Sequence, residues 1–109
     1  MSVDHSDGID AIGIERTTGN VILTIADHLD WTDADAHEIK LQAKLNAYLR
    51  FVESGQMLDA YPNARGRVVV FDVVLRVPPT PRENDFFDRV RQILADAGFE
   101  LRARVLPEA

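Results

Sequence analysis

The sequence predicts an α+β fold: a two-layer α/β sandwich in which a four-stranded mixed sheet carries two helices packed on one face. Segments rich in β-branched residues and segments with helical periodicity follow one another in the order ββαβαβ. The chain has 109 residues, 46% of them apolar, which is enough for one buried core. Right-handed crossovers that step the same way across a sheet put both helices on one face. We therefore expect strand order 1-2-3-4, with only the first strand antiparallel.

The first two strands form a predicted hairpin. Alternating apolar residues predict strands over residues 9–16 and 20–27, and the residues between them have turn chemistry. Residues 1–8 lack an apolar period and are expected to form a flexible N-terminal tail. The single domain is therefore expected to cover residues 9–106.

The first helix is expected to begin at a capping box, with Thr32 as the N-cap and Asp35 as the acidic N3 residue, and to end near Glu53. Gly55 can adopt the left-handed conformation that ends helices. The apolar stripe that would face the core has helical spacing and consists of Ala34, Leu41, Leu45, Tyr48, Leu49 and Val52. The long connection that follows, residues 54–66, is expected to pack back as a turn or short helix.

A strand, a helix and a strand complete the fold. Residues 68–77 are almost continuously apolar and β-branched, and two prolines end this third strand. A second capping box, Thr80 with Glu83, starts a helix that Gly98 ends. Residues 99–106 alternate apolar and charged side chains and predict the fourth strand.

The composition excludes several classes of function. With no cysteine, the chain has no disulfide, no thiolate metal site and no thiol nucleophile, and we expect a cytoplasmic protein. The N-terminus lacks the basic and apolar regions of a secretory signal, and no stretch is apolar enough to span a membrane. The serines stand in no nucleophile elbow, and the six glycines form no phosphate-binding loop. We therefore expect no enzyme and no cofactor.

The charge is acidic and unevenly distributed. The net charge is −6, and residues 1–35 alone contribute a net −7. An acidic first third favours a basic protein partner, whereas nucleic acid requires a basic surface, so we expect no nucleic acid partner and no membrane partner. The arginines of the third and fourth strands are interleaved with Asp72 and Glu100 rather than with aromatic residues, which is typical of a solvated ion-pair lattice.

Polar residues are densest where the second strand meets the first helix. This cluster contains Asp27, His28, Asp30, Trp31, Asp33, Asp35, His37 and Glu38. In one interpretation, His28, His37 and Asp30 bind a divalent metal together with neighbouring acids. In the other, the acids cap the helix and complement its dipole, and Trp31 packs across its first turn. The absence of an HxxxH motif favours the second interpretation.

Two apolar surfaces are candidate interfaces. On the third strand, Val68, Val70 and Val74 point away from the helix-facing side, and on the first helix Ile39 lies opposite the core stripe. A homodimer could form through these valines on the open face of the sheet. Alternatively, residues 54–66 fold over the valines and cover them.

Four segments carry a resemblance to a known family: residues 9–13 (IDAIG), 21–31 (VILTIADHLDW), 44–56 (KLNAYLRFVESGQ) and 61–62 (YP). They resemble a small uncharacterised bacterial family, a domain of unknown function with this length, over most of residues 9–105. The resemblance implies a bacterial, cytosolic, single-domain protein. It implies no activity, no cofactor and no site residue.

From these observations we expect a non-enzymatic protein-interaction module that binds a protein partner or forms a homodimer, with an immunity or antitoxin-like protein as one version. Its candidate binding residues are Asp27, His28, Asp30, Trp31, His37, Ile39, Val68, Val70 and Val74. The alternative is a metal-binding protein or metal-dependent hydrolase that uses His28, His37 and Asp30.

Overall fold

The computed structural model describes residues 10–106 and confirms the predicted fold class. Four strands form one mixed sheet in the order β1-β2-β3-β4, with β1 antiparallel to β2 and the other neighbours parallel. The elements are β1 (Ala11–Ile14), β2 (Val21–Asp27), α1 (Ala34–Glu53), α2 (Gln56–Ala60), β3 (Val69–Leu75), α3 (Pro81–Asp96) and β4 (Glu100–Val105). The predicted tail, residues 1–8, lies outside the described residues.

The central strand β3 organises the core. All seven of its residues are buried, and Phe71 pairs with Leu23 of β2 on one side and Leu101 of β4 on the other. Alternate residues of a strand point to opposite faces, so Phe71 and its partners share the face toward the helices. Leu41 of α1 and Leu94 of α3 belong to the same core. The two long helices therefore cover one face, as predicted.

Helix α1 begins one residue later than the sequence indicated. Its N-cap is Asp33, whose carboxylate accepts a hydrogen bond from the backbone N–H of Ala36 at 3.1 Å. Thr32, which was expected to be the N-cap, donates its own N–H to the carboxylate of Asp30 at 3.0 Å. This turn at Asp30 holds Thr32 before the helix, so the cap moves to the next residue. The predicted capping box of α3 is present.

The connection after α1 folds into α2 and a 3₁₀ turn at Pro62–Ala64. Gly55, with φ of 89°, makes the left-handed turn out of α1. Met57 and Ala64 then join the main core, on the helix side of the sheet. The prediction that this segment packs back as a short helix is confirmed. The alternative in which it covers the valines of the open face is wrong, because it packs on the opposite face.

No helix within residues 10–106 is both long enough and apolar enough to cross a bilayer.

Candidate functional site

The junction of β2 and α1 contains a buried pair of titratable side chains. Asp27 is the last residue of β2 and His37 lies in the first turns of α1, and both are almost fully buried. His37 Nε2 lies 2.5 Å from Asp27 Oδ2, and His37 Nδ1 lies 2.9 Å from the backbone oxygen of Asp30. The other Asp27 oxygen accepts the N–H of Leu29 at 3.1 Å. The pair therefore connects the end of β2 with the start of α1.

Hydrogen-bond chemistry assigns the role of one ring nitrogen of His37. A carbonyl oxygen can only accept, so Nδ1 donates its hydrogen to the backbone oxygen of Asp30. Nε2 lies against the Asp27 carboxylate, and this second contact is a hydrogen bond in a buried environment.

Trp31 covers this pair. Its ring stacks on the imidazole of His37, with centroids 3.6 Å apart and planes 19° from parallel. The indole Nε1–H donates to the backbone oxygen of Val77 at 3.2 Å, and the ring meets Phe87 edge-on at 6.3 Å. The structure therefore brings together Asp27, Trp31 and His37, three of the candidate residues. It places them in a packed, hydrogen-bonded junction between the strand, the helix and the segment after β3.

The three residues of the metal interpretation, His28, His37 and Asp30, do not share one environment. Both ring nitrogens of His37 face oxygen atoms of the protein, as described above. The Asp30 carboxylate accepts the Thr32 N–H, and this hydrogen bond holds the pKa of the Asp30 carboxyl below its ordinary value. His28 is exposed just after β2. Within residues 10–106, no three His, Asp or Glu side chains are grouped so that they could hold a metal ion.

A second buried polar cluster was not predicted from the sequence. Lys44 of α1 is fully buried, and its Nζ lies 3.1 Å from Asp10 Oδ1 and 5.5 Å from the ring centroid of Tyr48. The other Asp10 oxygen accepts the N–H of Ala26 at 2.9 Å. The Tyr48 hydroxyl donates to the backbone oxygen of Thr24 at 2.5 Å and accepts the Asp10 N–H at 2.8 Å. Through these contacts the cluster connects the start of β1 with α1 and β2.

Burial dominates the chemistry of Tyr48. Loss of solvation is the largest cause that raises the pKa of its phenol, and the Asp10 carboxylate acts in the same direction, while the hydrogen bond from the Asp10 N–H opposes both. The side chain therefore stays neutral in the folded protein. One signal in the sequence could have revealed the cluster, since Lys44 stands three residues after Leu41 and four before Tyr48, within the core stripe.

The open face of the sheet carries ion pairs rather than an exposed valine strip. Asp72 is buried at its centre, and Arg104 contacts the Asp72 carboxylate through Nε at 3.3 Å and Nη2 at 3.2 Å. Arg102 lies 3.9 Å from the same carboxylate. Val70 and Val74, on either side of Asp72, are 2% and 8% exposed. The expectation of a valine surface on this face is therefore wrong for these two residues, and the expected arginine–aspartate lattice is present at Asp72.

The other two candidate interface residues are exposed. Ile39 is the most exposed large apolar residue of the described chain, at 68%, and lies on α1. Val68 is exposed just before β3. They belong to separate parts of the fold.

An apolar groove that the sequence did not reveal lies beside β1. Its volume is about 430 Å³, and it is lined by Ile12, Gly13, Ile14, Val21, Ala60, Tyr61, Pro62, Asn63 and Ala64. Ile14 is 42% exposed and Tyr61 is 47% exposed on its walls. If a further strand paired with β1, its side chains on the helix side of the sheet would point into this groove. A second, shallower depression flanks the other face of β1 and includes Ala11 and Thr24.

The backbone of β1 directs some of its hydrogen-bonding groups away from β2 along this groove. The Glu15 N–H donates to the Asn20 oxygen at 2.9 Å, whereas the Val21 N–H points away from β1 and donates to the Val68 oxygen at 2.9 Å, so Ile14 and Val21 face each other as a non-hydrogen-bonded pair. Hydrogen-bonded and non-hydrogen-bonded pairs alternate in antiparallel strands, so Gly13 also directs its backbone groups toward β2. Ile12 and Ile14 direct theirs away from β2. Within residues 10–106 no strand pairs with this outer side of β1, called the β1 edge below.

The fold and these sites define a compact α/β sandwich with two buried polar clusters and an apolar groove at one edge of its sheet. The chain belongs to DUF6572, a family of unknown function whose model matches residues 1–107. Searches of the curated proteins and of the solved structures each found no match.

Proposed function

We propose that the protein is a non-enzymatic protein-interaction module that binds an extended protein segment along the β1 edge. The observation that carries this proposal is the apolar groove beside a strand edge with which no strand of residues 10–106 pairs, with Ile14 and Tyr61 exposed in it. Extended segments bind such edges by adding a strand: main-chain hydrogen bonds supply affinity, and alternate side chains enter the adjoining pockets. Ile12 and Ile14 offer the main-chain groups, and the groove offers the pocket.

The two edges of the sheet differ in a way that supports β1 as the binding edge. Edge strands that remain unpaired in solution are usually protected by charged side chains. β4 has this protection, because Glu100, Arg102 and Arg104 alternate along it. β1 reads Ala-Ile-Gly-Ile and has no charged residue over its four positions. The absence of such protection on β1 supports a partner on that edge.

The expected compartment is part of the same proposal. A chain without cysteine does not use disulfides for stability, which fits the reducing cytoplasm. Asp27 and His37 are buried and hydrogen-bonded within the protein, and Trp31 packs on them. A pair in these surroundings offers no open position to a substrate, which supports a structural rather than a catalytic role for the junction.

Site-specific photocrosslinking in cells tests the proposal. The photoreactive residue benzoylphenylalanine replaces Tyr61 in the groove, and in a matched control it replaces Ile39 on α1, which is also exposed. We expect a discrete crosslinked protein species from position 61 and none of the same mass from position 39. Ile14→Lys, which places a charge on the β1 edge, should abolish the species. Equal crosslinking at both positions, or crosslinking unaffected by Ile14→Lys, would contradict the proposal.

A further inference from the structure

We infer that the segment bound at the β1 edge is β1 of a second copy of this chain, paired antiparallel about a two-fold axis at Gly13. This inference rests on the proposed function and names its partner. In the dimer the two sheets join into one continuous sheet of eight strands. Ile12 of each copy then faces Ile14 of the other, and the two Gly13 residues face each other.

The hydrogen-bonding pattern of β1 fits this register. The outward backbone groups belong to Ile12 and Ile14, so these residues must form the hydrogen-bonded pairs of any added antiparallel strand. A two-fold axis at Gly13 pairs Ile12 with Ile14 of the other copy, which satisfies both sets of groups. Gly13, whose own groups point to β2, then falls at a non-hydrogen-bonded position. In a register shifted by one residue, the outward backbone groups of one copy would face residues of the other copy whose backbone groups point toward their own β2.

The side chains on both faces of β1 also fit. On the inner face, Ile12 and Ile14 would contact the isoleucines of the other copy and extend the apolar core across the axis. The exposed fraction of Ile14 would be covered by this contact. On the outer face, Gly13 has no side chain, and no atom lies within 4 Å of the position that a Cβ would occupy. Two strands can therefore approach closely at the axis.

Symmetry points to the same partner. Pairing of β1 with β4 of another copy would be a head-to-tail contact, which does not close unless its rotation forms a ring. Two β1 edges instead pair with each other and complete a closed dimer. The charged β4 strands then form the two outer edges of the joined sheet.

Cysteine crosslinking tests the register, because the natural chain has no cysteine. Facing residues at a non-hydrogen-bonded position have Cα atoms about 4.5 Å apart, within the range of a disulfide. Gly13→Cys should therefore form a disulfide-linked dimer under mild oxidation. Ala11→Cys is the matched control on the same strand and face, and alone it should remain uncrosslinked. A mixture of the Ala11→Cys and Glu15→Cys chains should crosslink, because these positions face each other across the axis.

The solution mass supplies a second, independent readout. Light scattering should give twice the 12.2 kDa chain mass at high protein concentration. Ile14→Lys should return the mass to that of the monomer, while Ile39→Lys, the same change on an exposed isoleucine of α1, should leave the dimer intact. Circular dichroism of both variants shows whether they fold.

Three results would overturn the inference. The first is a wild-type mass of 12.2 kDa at every concentration, together with no more disulfide-linked dimer from Gly13→Cys than from Ala11→Cys. The second is a dimer that Ile14→Lys does not dissociate although that variant folds. The third is a crosslink from position 61 to a different protein that depends on Ile14, which would support the proposed function while removing the second copy as its partner.

Discussion

Trp31 lies flat on His37, with ring centroids 3.6 Å apart, and His37 in turn contacts Asp27 at 2.5 Å. The chain has one tryptophan, so its fluorescence reports on this junction alone. The stack encloses a buried, hydrogen-bonded pair of side chains, and this arrangement makes the junction sensitive to the loss of either partner.

Replacement of Asp27 by asparagine should destabilise the protein strongly. The change leaves His37 buried without its carboxylate, and removal of one member of a buried pair typically lowers the free energy of unfolding by about 3 kcal/mol or more. Urea denaturation followed by Trp31 fluorescence measures the loss. Asp88→Asn, at an exposed position of α3 that contacts Arg91, is the control and should change the free energy of unfolding by less than about 0.5 kcal/mol. Similar losses in both variants would show that the junction contributes little.

The contact between Lys44 and Asp10 should appear as energetic coupling. Each single variant, Lys44→Met or Asp10→Asn, leaves a buried group without its counterpart and should lower the free energy of unfolding. The double variant removes both, so its loss should be smaller than the sum of the single losses by about 0.5–3 kcal/mol. A double-mutant cycle in urea measures this difference. Strict additivity would mean that the 3.1 Å contact does not stabilise the fold.

Tyr48 should make the protein sensitive to alkali. Burial raises the pKa of its phenol in the folded state, whereas in the unfolded chain a tyrosine ionises near pH 10. The stabilisation is therefore fully present below about pH 10 and is lost as the pH rises toward the folded-state pKa. Urea denaturation at increasing pH should show a smaller alkaline loss for Tyr48→Phe than for the wild type.

Tyr61→Phe is the control for that experiment, because it removes the hydroxyl of the other tyrosine, which is exposed. It should retain the full alkaline loss. Tyr48→Phe should also lower the free energy of unfolding at neutral pH by about 1 kcal/mol, since the hydroxyl bonds the backbone at Thr24 and Asp10. If both variants lose stability in alkali to the same extent as the wild type, the origin of the loss lies outside Tyr48.

The position of the α1 cap should be measurable directly. Asp33→Ala removes the carboxylate that accepts the Ala36 N–H and should lower the free energy of unfolding by about 1 kcal/mol. Thr32→Ala, at the residue that the sequence pattern favoured, should change it by less than about 0.5 kcal/mol. Thermal denaturation of the two variants distinguishes the assignments. A larger loss for Thr32→Ala would restore the sequence-based N-cap.

The sheet order was predictable because it depends on strong, long patterns. β3 is continuously apolar, each long helix has its own start and stop signals, and right-handed crossovers then leave few possible arrangements. What periodicity could not show was the one-residue shift of the cap, because the Asp30 turn competes with the capping box locally.

The remaining differences involve residues that are far apart in sequence. Lys44 and Asp10 stand 34 positions apart in the sequence, and no local pattern connects them. Val70 and Val74 lie on the face opposite the helices as expected but are only 2% and 8% exposed, and the long side chains Glu100 and Arg104 stand at the paired positions of β4. The β1 groove depends on Tyr61 and its neighbours, which approach Ile14 only after α2 has folded back.

The central position of β3 has a consequence for synthesis on the ribosome. β2 finds its parallel partner only when Val69 and the residues after it have been translated, long after Val21 has emerged. Until then the nascent chain consists of a hairpin and a helix whose apolar sides lack most of their partners. We expect this intermediate to be a substrate for chaperones that recognise exposed apolar segments, and the native fold to form late and cooperatively.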